Sequence, residues 1–155
     1  MRPYRDGDAP ALAELFYNSV RKAAGSGYSE AQVVAWAPQP PDPTRFEAKA
    51  KDGRVFLIAV DGADEPIAFG DLEADGHIDY LYCRPDAVGT GVASALYNRL
   101  EEIARERAMT RLYVDASELA RRLFARKGFC VIERRDFIVN GVAIHNYAME
   151  KVLTR

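Results

Sequence analysis

Only two cysteines, Cys83 and Cys130, occur in the 155 residues, too few for a disulfide framework and without metal-site spacing. Tryptophan occurs once, at Trp36. Lys and Arg total 21 against 23 Asp and Glu, a formal charge of -2, and no basic cluster stands apart from acids. The electrostatic footprint of a nucleic-acid binder is therefore missing. No apolar run approaches the ~20 residues of a membrane span, and "MRPYRDGDAP" has none of the apolar middle of a secretion signal. The expectation is a cytoplasmic protein with reduced cysteines, no metal, no nucleic-acid partner and no membrane contact. An apolar share of 48% with 28% charged residues is the balance of one globular domain, here 1–155.

What is present is regular. "MRPYR" suits a short first strand, after which Asp8 caps a helix with Leu12, Leu15, Phe16 and Val20 on one face. Ser29 and Gln32 have capping-box spacing and open a second helix carrying Val33, Val34, Trp36 and Ala37. "PQPPDP" (38–43) reads as an extended surface loop. "RVFLIAV" (54–60) and "PIAFGDLEA" (66–74) pair as an antiparallel hairpin, and "HIDYLYC" (77–83) adds a third strand. A four-turn helix starts at Val92 and carries Leu96, Leu100 and Ile103. "RLYVDA" (111–116) is a strand. "SELARRLFARKGF" (117–129) is a helix capped by Ser117, stapled by Leu119, Leu123 and Phe124, and ended at Gly128. Asn140-Gly141 turns the last two strands into a hairpin. The order βααβββαβαββ predicts an α+β (mixed α/β) fold, a sheet with helices packed on it.

The segment "YCRPDAVGTGVAS" (82–94) joins a strand to a helix through two glycines. Unpartnered N–H groups and the positive end of the helix dipole make such a junction an anion site, and small residues allow close approach. A tight strand–helix connection needs the same glycines. The Walker pattern fails because Val92, not Lys, follows Gly91, and the dinucleotide fingerprint fails because Ser94 stands at its third glycine.

Val88-Gly89-Thr90-Gly91-Val92-Ala93 resembles the pyrophosphate loop Q/R-x-x-G-x-G/A of the GCN5-related N-acetyltransferases (GNAT). Two further motifs carry the likeness. Leu81-Tyr82-Cys83-Arg84-Pro85 is similar to the "LYV-x-P" end of the family's fourth strand. Ser117, Ala120, Phe124, Gly128 and Phe129 match N/S-x-x-A-x-x-x-Y/F-x-x-x-G-F. A subgroup with "Y-S-x-x-Q…AWAP" and "GHIDYLYV"-like motifs is similar over nearly the whole chain. The resemblance implies a central, mostly antiparallel sheet of about seven strands with about four helices.

It also implies acetyl-CoA as co-substrate. The pyrophosphate would lie on backbone from Val88 to Ser94, and the pantetheine along Leu81, Tyr82 and Cys83, with Ser117 and Phe124 nearby. His77 stands where several family members carry a base, and Asp79 is two residues on; together they form a general base or proton relay, with Glu73 a lesser candidate. Imidazole suits proton transfer near neutral pH. Phe124 replaces the Tyr that many relatives use as general acid, which leaves Tyr82, Tyr147, water or no acid. The loop lacks a cation at Val88 and Thr90, so Arg84, Arg121 and Arg122 are candidates to compensate. Phe16, Tyr28, Trp36, Tyr80 and Tyr147 are candidates to line an acceptor site, while His145 reads as a surface residue. The expected activity is direct acetyl transfer to a small-molecule or protein amine. A catalytically silent acyl-CoA-binding module, a structural interaction domain and a homodimer through the last strands are the alternatives left open.

Overall fold

The computed structural model describes residues 1–154. Strand β1 (Arg2–Pro3) leads to helix α1 (Ala9–Arg21), whose Leu12, Leu15, Phe16 and Val20 are buried. Asp8 holds the N-cap position without capping. Its carboxylate instead accepts from both terminal nitrogens of Arg2, at 2.8 and 2.9 Å, and from the Arg5 N–H at 2.7 Å. Helix α2 (Glu30–Trp36) has a complete capping box, with reciprocal Ser29 and Gln32 bonds of 3.1 and 2.9 Å.

The proline-rich stretch is not extended to its end. Helix α3 (Pro43–Ala50) begins inside it, because Asp42 accepts the Thr44 N–H at 3.0 Å and Pro43 takes the first helical position, where no N–H is needed. That helix drives fully buried Phe46 into the core.

Strands β2 (Val55–Val60) and β3 (Pro66–Leu72) form the expected hairpin, with β1 on its outer edge. The run 77–83 is two strands rather than one. Strand β4 (His77–Ile78) pairs parallel with β6 (Arg111–Ala116), and β5 (Leu81–Cys83) pairs antiparallel with β3. After helix α4 (Val92–Glu106) and β6 come helix α5 (Ala120–Arg126) and the hairpin of β7 (Cys130–Val139) and β8 (Val142–Val152). Helix α5 is shorter than the sequence implies. Ser117 accepts the Ala120 N–H at 3.1 Å, but Leu119 holds the N-cap position and is 44% exposed rather than packed inside.

The described residues thus give eight strands in two four-stranded sheets, β1-β2-β3-β5 and β4-β6-β8-β7, with five α-helices. One apolar cluster joins α1, α2 and α3 to one side of the first sheet, through Phe16, Phe46, Phe69 and Tyr80. A second packs α4 and α5 against the β6–β8 region, through Leu100, Leu112, Phe124 and Met149. The division between the sheets falls at Asp79 and Tyr80, and it positions the site.

Candidate active site

Asp71, fully buried on β3, makes that division. Its Oδ1 accepts the N–H of Asp79 at 2.8 Å and of Tyr80 at 2.7 Å, while its Oδ2 accepts from Arg54 at 2.7 Å. Two successive N–H groups aimed at one carboxylate break the strand alternation, so β5 leaves β6 and follows β3. Burial pushes the Asp71 carboxyl up to about 6, although the N–H groups and Arg54 favour its charged form.

Beyond the break, the backbones of β5 and β6 diverge with no strand between them. Tyr80 O accepts from Asp71 and Arg84 N–H donates to Ile67 O at 2.8 Å, so residues 80, 82 and 84 turn towards β3. Leu81 and Cys83 therefore present their N–H and C=O groups to the open side. A cavity of about 520 Å³ begins there. Leu81, Tyr82 and Cys83 form one wall, and Ser117, Leu119, Ala120 and Leu123 the opposite one. Val88, Gly89, Gly91, Val92, Ala93 and Ser94 close its end.

Not all of the 88–94 backbone faces this cleft. Val88 N–H turns to Pro85 O and Thr90 N–H to Ala87 O, and the Thr90 hydroxyl also donates to Ala87 O at 2.5 Å. The N–H groups of Gly89, Gly91, Val92, Ala93 and Ser94 find no backbone acceptor among the described residues. Gly89 and Gly91 have φ of +84° and +86°, and a Cβ built on either meets nothing within 4 Å, so a side chain there would project into open space. Free backbone N–H groups at the positive end of a helix dipole give the junction the chemistry to cradle an anion. Arg126, at the end of α5, is the cation lining the cleft among the described residues, and the sequence motifs did not mark it. Arg84 instead pairs with Asp86 and Asp61, and Arg121 with Glu118.

The other candidates divide. Phe124 is not at the cleft: it is 1% exposed, between Tyr97 and Phe129 at ring separations of 5.9 and 5.0 Å. His77 Nδ1 lies 2.7 Å from Glu73, and its ring stacks on Tyr113 at 4.8 Å. Asp79 accepts from Lys49 at 2.7 Å and Arg54 at 3.2 Å. Burial raises the Asp79 carboxyl, but the Lys49 bond and the positive charges outweigh it and hold the group below its ordinary value. His77 and Asp79 lie where β4 gives way to β5 and line neither the cleft nor the cavity next to it.

That second cavity, about 180 Å³, shares Trp36, Tyr82 and Ser117 with the cleft. Tyr28 and Trp36 line it, whereas Phe16 and Tyr80 are core and Tyr147 packs under Arg121. Asp115, His145 and Asn146 also line it, and sequence reasoning passed over all three as sites. His145 is not a free surface group: its Nε2 lies 2.7 Å from Glu118. The strand alternation around Asn140-Gly141 was the available signal. It could not show that Asn140 donates to Ala35 O and Gln32 to Ala143 O, the bonds that fold the hairpin over α2.

The residues that build this cleft fall within the match of a family model. The acetyltransferase (GNAT) domain model covers residues 25–151. The chain is a GNAT acetyltransferase. The uncharacterised N-acetyltransferase YafP of Escherichia coli K12 is 31% identical over 149 residues, spanning 96% of this chain and 93% of YafP. A GCN5-related N-acetyltransferase from Rhodopseudomonas palustris superposes with a TM-score of 0.87 at 37% identity, covering 98% of this chain and 94% of that one. YncA of Salmonella typhimurium, a structure holding acetyl-CoA, shares the fold at a TM-score of 0.76 and 17% identity, over 99% of this chain and 93% of its own. The family makes this acetyltransferase an acyl-CoA-dependent enzyme with amine substrates.

Proposed function

We propose that this acetyltransferase moves the acetyl group of acetyl-CoA directly to a primary amine. The observation that carries the reading is that Gly89, Gly91, Val92, Ala93 and Ser94, whose N–H groups lack backbone acceptors, and the open backbone of Leu81 and Cys83 line one cleft. Pyrophosphate sits on the former, and pantetheine adds to β5 like a short strand. The acetyl group then lies where cleft and second cavity meet, at Tyr82 and Ser117. The Leu81 N–H polarises the thioester carbonyl as charge develops on it.

The amine nitrogen attacks the carbonyl carbon, the C–N bond forms and the C–S bond breaks. With Phe124 in the core, Tyr82 is the hydrogen-bond donor for the departing thiolate. Burial pushes its phenol above the ordinary value, so it stays protonated. The amine's proton leaves through water towards His77, whose ring Glu73 holds. Asp79, kept ionised by Lys49 and Arg54, anchors the point between β4 and β5 and fixes the field around that path.

Release of free CoA thiol from acetyl-CoA in the presence of an amine panel tests the reading. Turnover supports it; tight CoA binding without turnover of any amine overturns it in favour of a silent binding module. His77→Ala is expected to lower kcat while leaving the KM for acetyl-CoA unchanged, and an unchanged kcat removes His77 as proton acceptor.

A further inference from the structure

We infer that the acceptor is a compact amine without an acidic group, carried on a single aromatic ring or an equally small apolar body, and that it fills the cavity beside Tyr82. The inference rests on the transfer reaction proposed above and names the substrate class of that same site.

Three properties of the cavity lead to it. The first is size. About 180 Å³ is little more than a cavity that holds benzene, ~150 Å³. One ring and a short chain fit, whereas a peptide segment with its flanking residues does not.

The second property is the wall. Trp36, Phe137, Val139 and Ile144 supply apolar surface. Tyr28 adds only its ring, since its hydroxyl already donates to His145 O at 3.2 Å and accepts the Glu118 N–H at 2.7 Å.

The third is charge. No Lys or Arg lines the cavity among the described residues, so a carboxylate or phosphate on the acceptor would be desolvated without a counter-ion. Asp115 in the lining already pairs with Arg135 at 2.8 Å, so the arginine at that edge is neutralised and is no free partner for an acceptor's carboxylate. Asn146 also lines the cavity, and its buried Oδ1 has no hydrogen-bond partner among the described residues, which leaves one acceptor for an incoming N–H. Substrate binding satisfies it. The amine and acetyl-CoA give an N-substituted acetamide and free CoA thiol, the amine's proton ending on the thiol side through solvent.

Trp36 is the sole tryptophan and a wall of the cavity, so its emission reports occupancy independently of turnover. The experiment titrates the full chain with 2-phenylethylamine, L-phenylalanine and putrescine, following Trp36 emission, then measures CoA thiol release with acetyl-CoA. Phenylethylamine is expected to shift the emission saturably. Its kcat/KM is expected to exceed that of L-phenylalanine, the same ring with a carboxylate, and of putrescine by at least about tenfold, ~1.4 kcal/mol. Asn146→Leu is expected to raise the KM for phenylethylamine about fivefold or more while leaving that for acetyl-CoA unchanged. Preference for L-phenylalanine or putrescine overturns the substrate class while the transfer reaction stands. Saturable emission change without thiol release from any amine supports the binding assignment and overturns the transfer. Turnover of phenylethylamine without any change in Trp36 emission places the acceptor elsewhere and overturns the inference.

Discussion

Asp71 and Tyr80 are joined twice, the Tyr80 N–H donating to the Asp71 carboxylate at 2.7 Å and the Asp71 N–H to Tyr80 O at 3.1 Å. The carboxylate also takes the Asp79 N–H, so one buried side chain stands in for a strand neighbour at the point where β4 gives way to β5. Asp71→Ala would leave two buried N–H groups and Arg54 short of a partner. Loss of one member of a buried ion pair costs ~3–5 kcal/mol, so urea denaturation should show a fall of that order. The KM for acetyl-CoA should rise as well, because the open edge of Leu81 and Cys83 depends on the same bonds.

The same residue sets a pH dependence. Its carboxyl, raised by burial from 3.8 to about 6, keeps a proton in the folded state where the unfolded chain has lost it. Its contribution to stability therefore falls as pH rises through that window, and the full deficit is present above about 6. The shift corresponds to ~3 kcal/mol. Denaturation of the wild type and of Asp71→Asn at pH 4, 5, 6 and 7 should show the wild type losing stability relative to the variant as pH rises. A constant difference would mean that the N–H groups and Arg54 fully offset the burial.

Gly91→Ala tests the cradle. The left-handed φ of +86° costs an L-residue ~1–2 kcal/mol, and the added methyl would stand in the open space that the phosphate group must enter. Steady-state kinetics should show the KM for acetyl-CoA raised about tenfold or more, with a smaller change in kcat.

Arg126→Gln tests the cation that replaces a basic loop. An exposed charge contact is worth ~1 kcal/mol or less. The KM for acetyl-CoA should rise about three- to fivefold at low salt, and the difference should shrink as ionic strength increases.

Tyr82→Phe and Phe124→Tyr form a reciprocal pair. The first removes the hydroxyl proposed as the thiolate donor while keeping the ring stacked on Phe69. Its kcat is expected to fall ~10–100-fold, within the range of general acid contributions. The second restores the common family residue, yet adds a hydroxyl inside the Tyr97–Phe124–Phe129 cluster. It should lower the melting temperature, by ~1–3 kcal/mol of stability, with no gain in kcat. A gain in kcat would show that a side chain at 124 reaches the cleft.

Local pattern carried much of the architecture. Amphipathic spacing in α1 and α4, the Ser29–Gln32 capping box, the Asn140-Gly141 turn and the Gly89–Gly91 junction all act within a few residues, so each is legible in order along the chain. Helix α3 was legible too, in Asp42-Pro43, but the surrounding prolines masked it. Phe124 shows the limit of motif spacing, since its position on α5 matches the family pattern while its ring turns into the core.

By itself, the sequence determined the family, the element order except for α3 and the division of 77–83, and the glycine junction that opens α4. It could do so because capping, turn chemistry and helix periodicity are short-range. Only the tertiary structure decided that Asp71 divides 77–83 into two strands, that Arg126 reaches the cleft, and that Asp115, His145 and Asn146 meet Trp36 around one cavity. These are contacts between segments tens of residues apart, settled by burial and by which polar groups find partners once the sheets close.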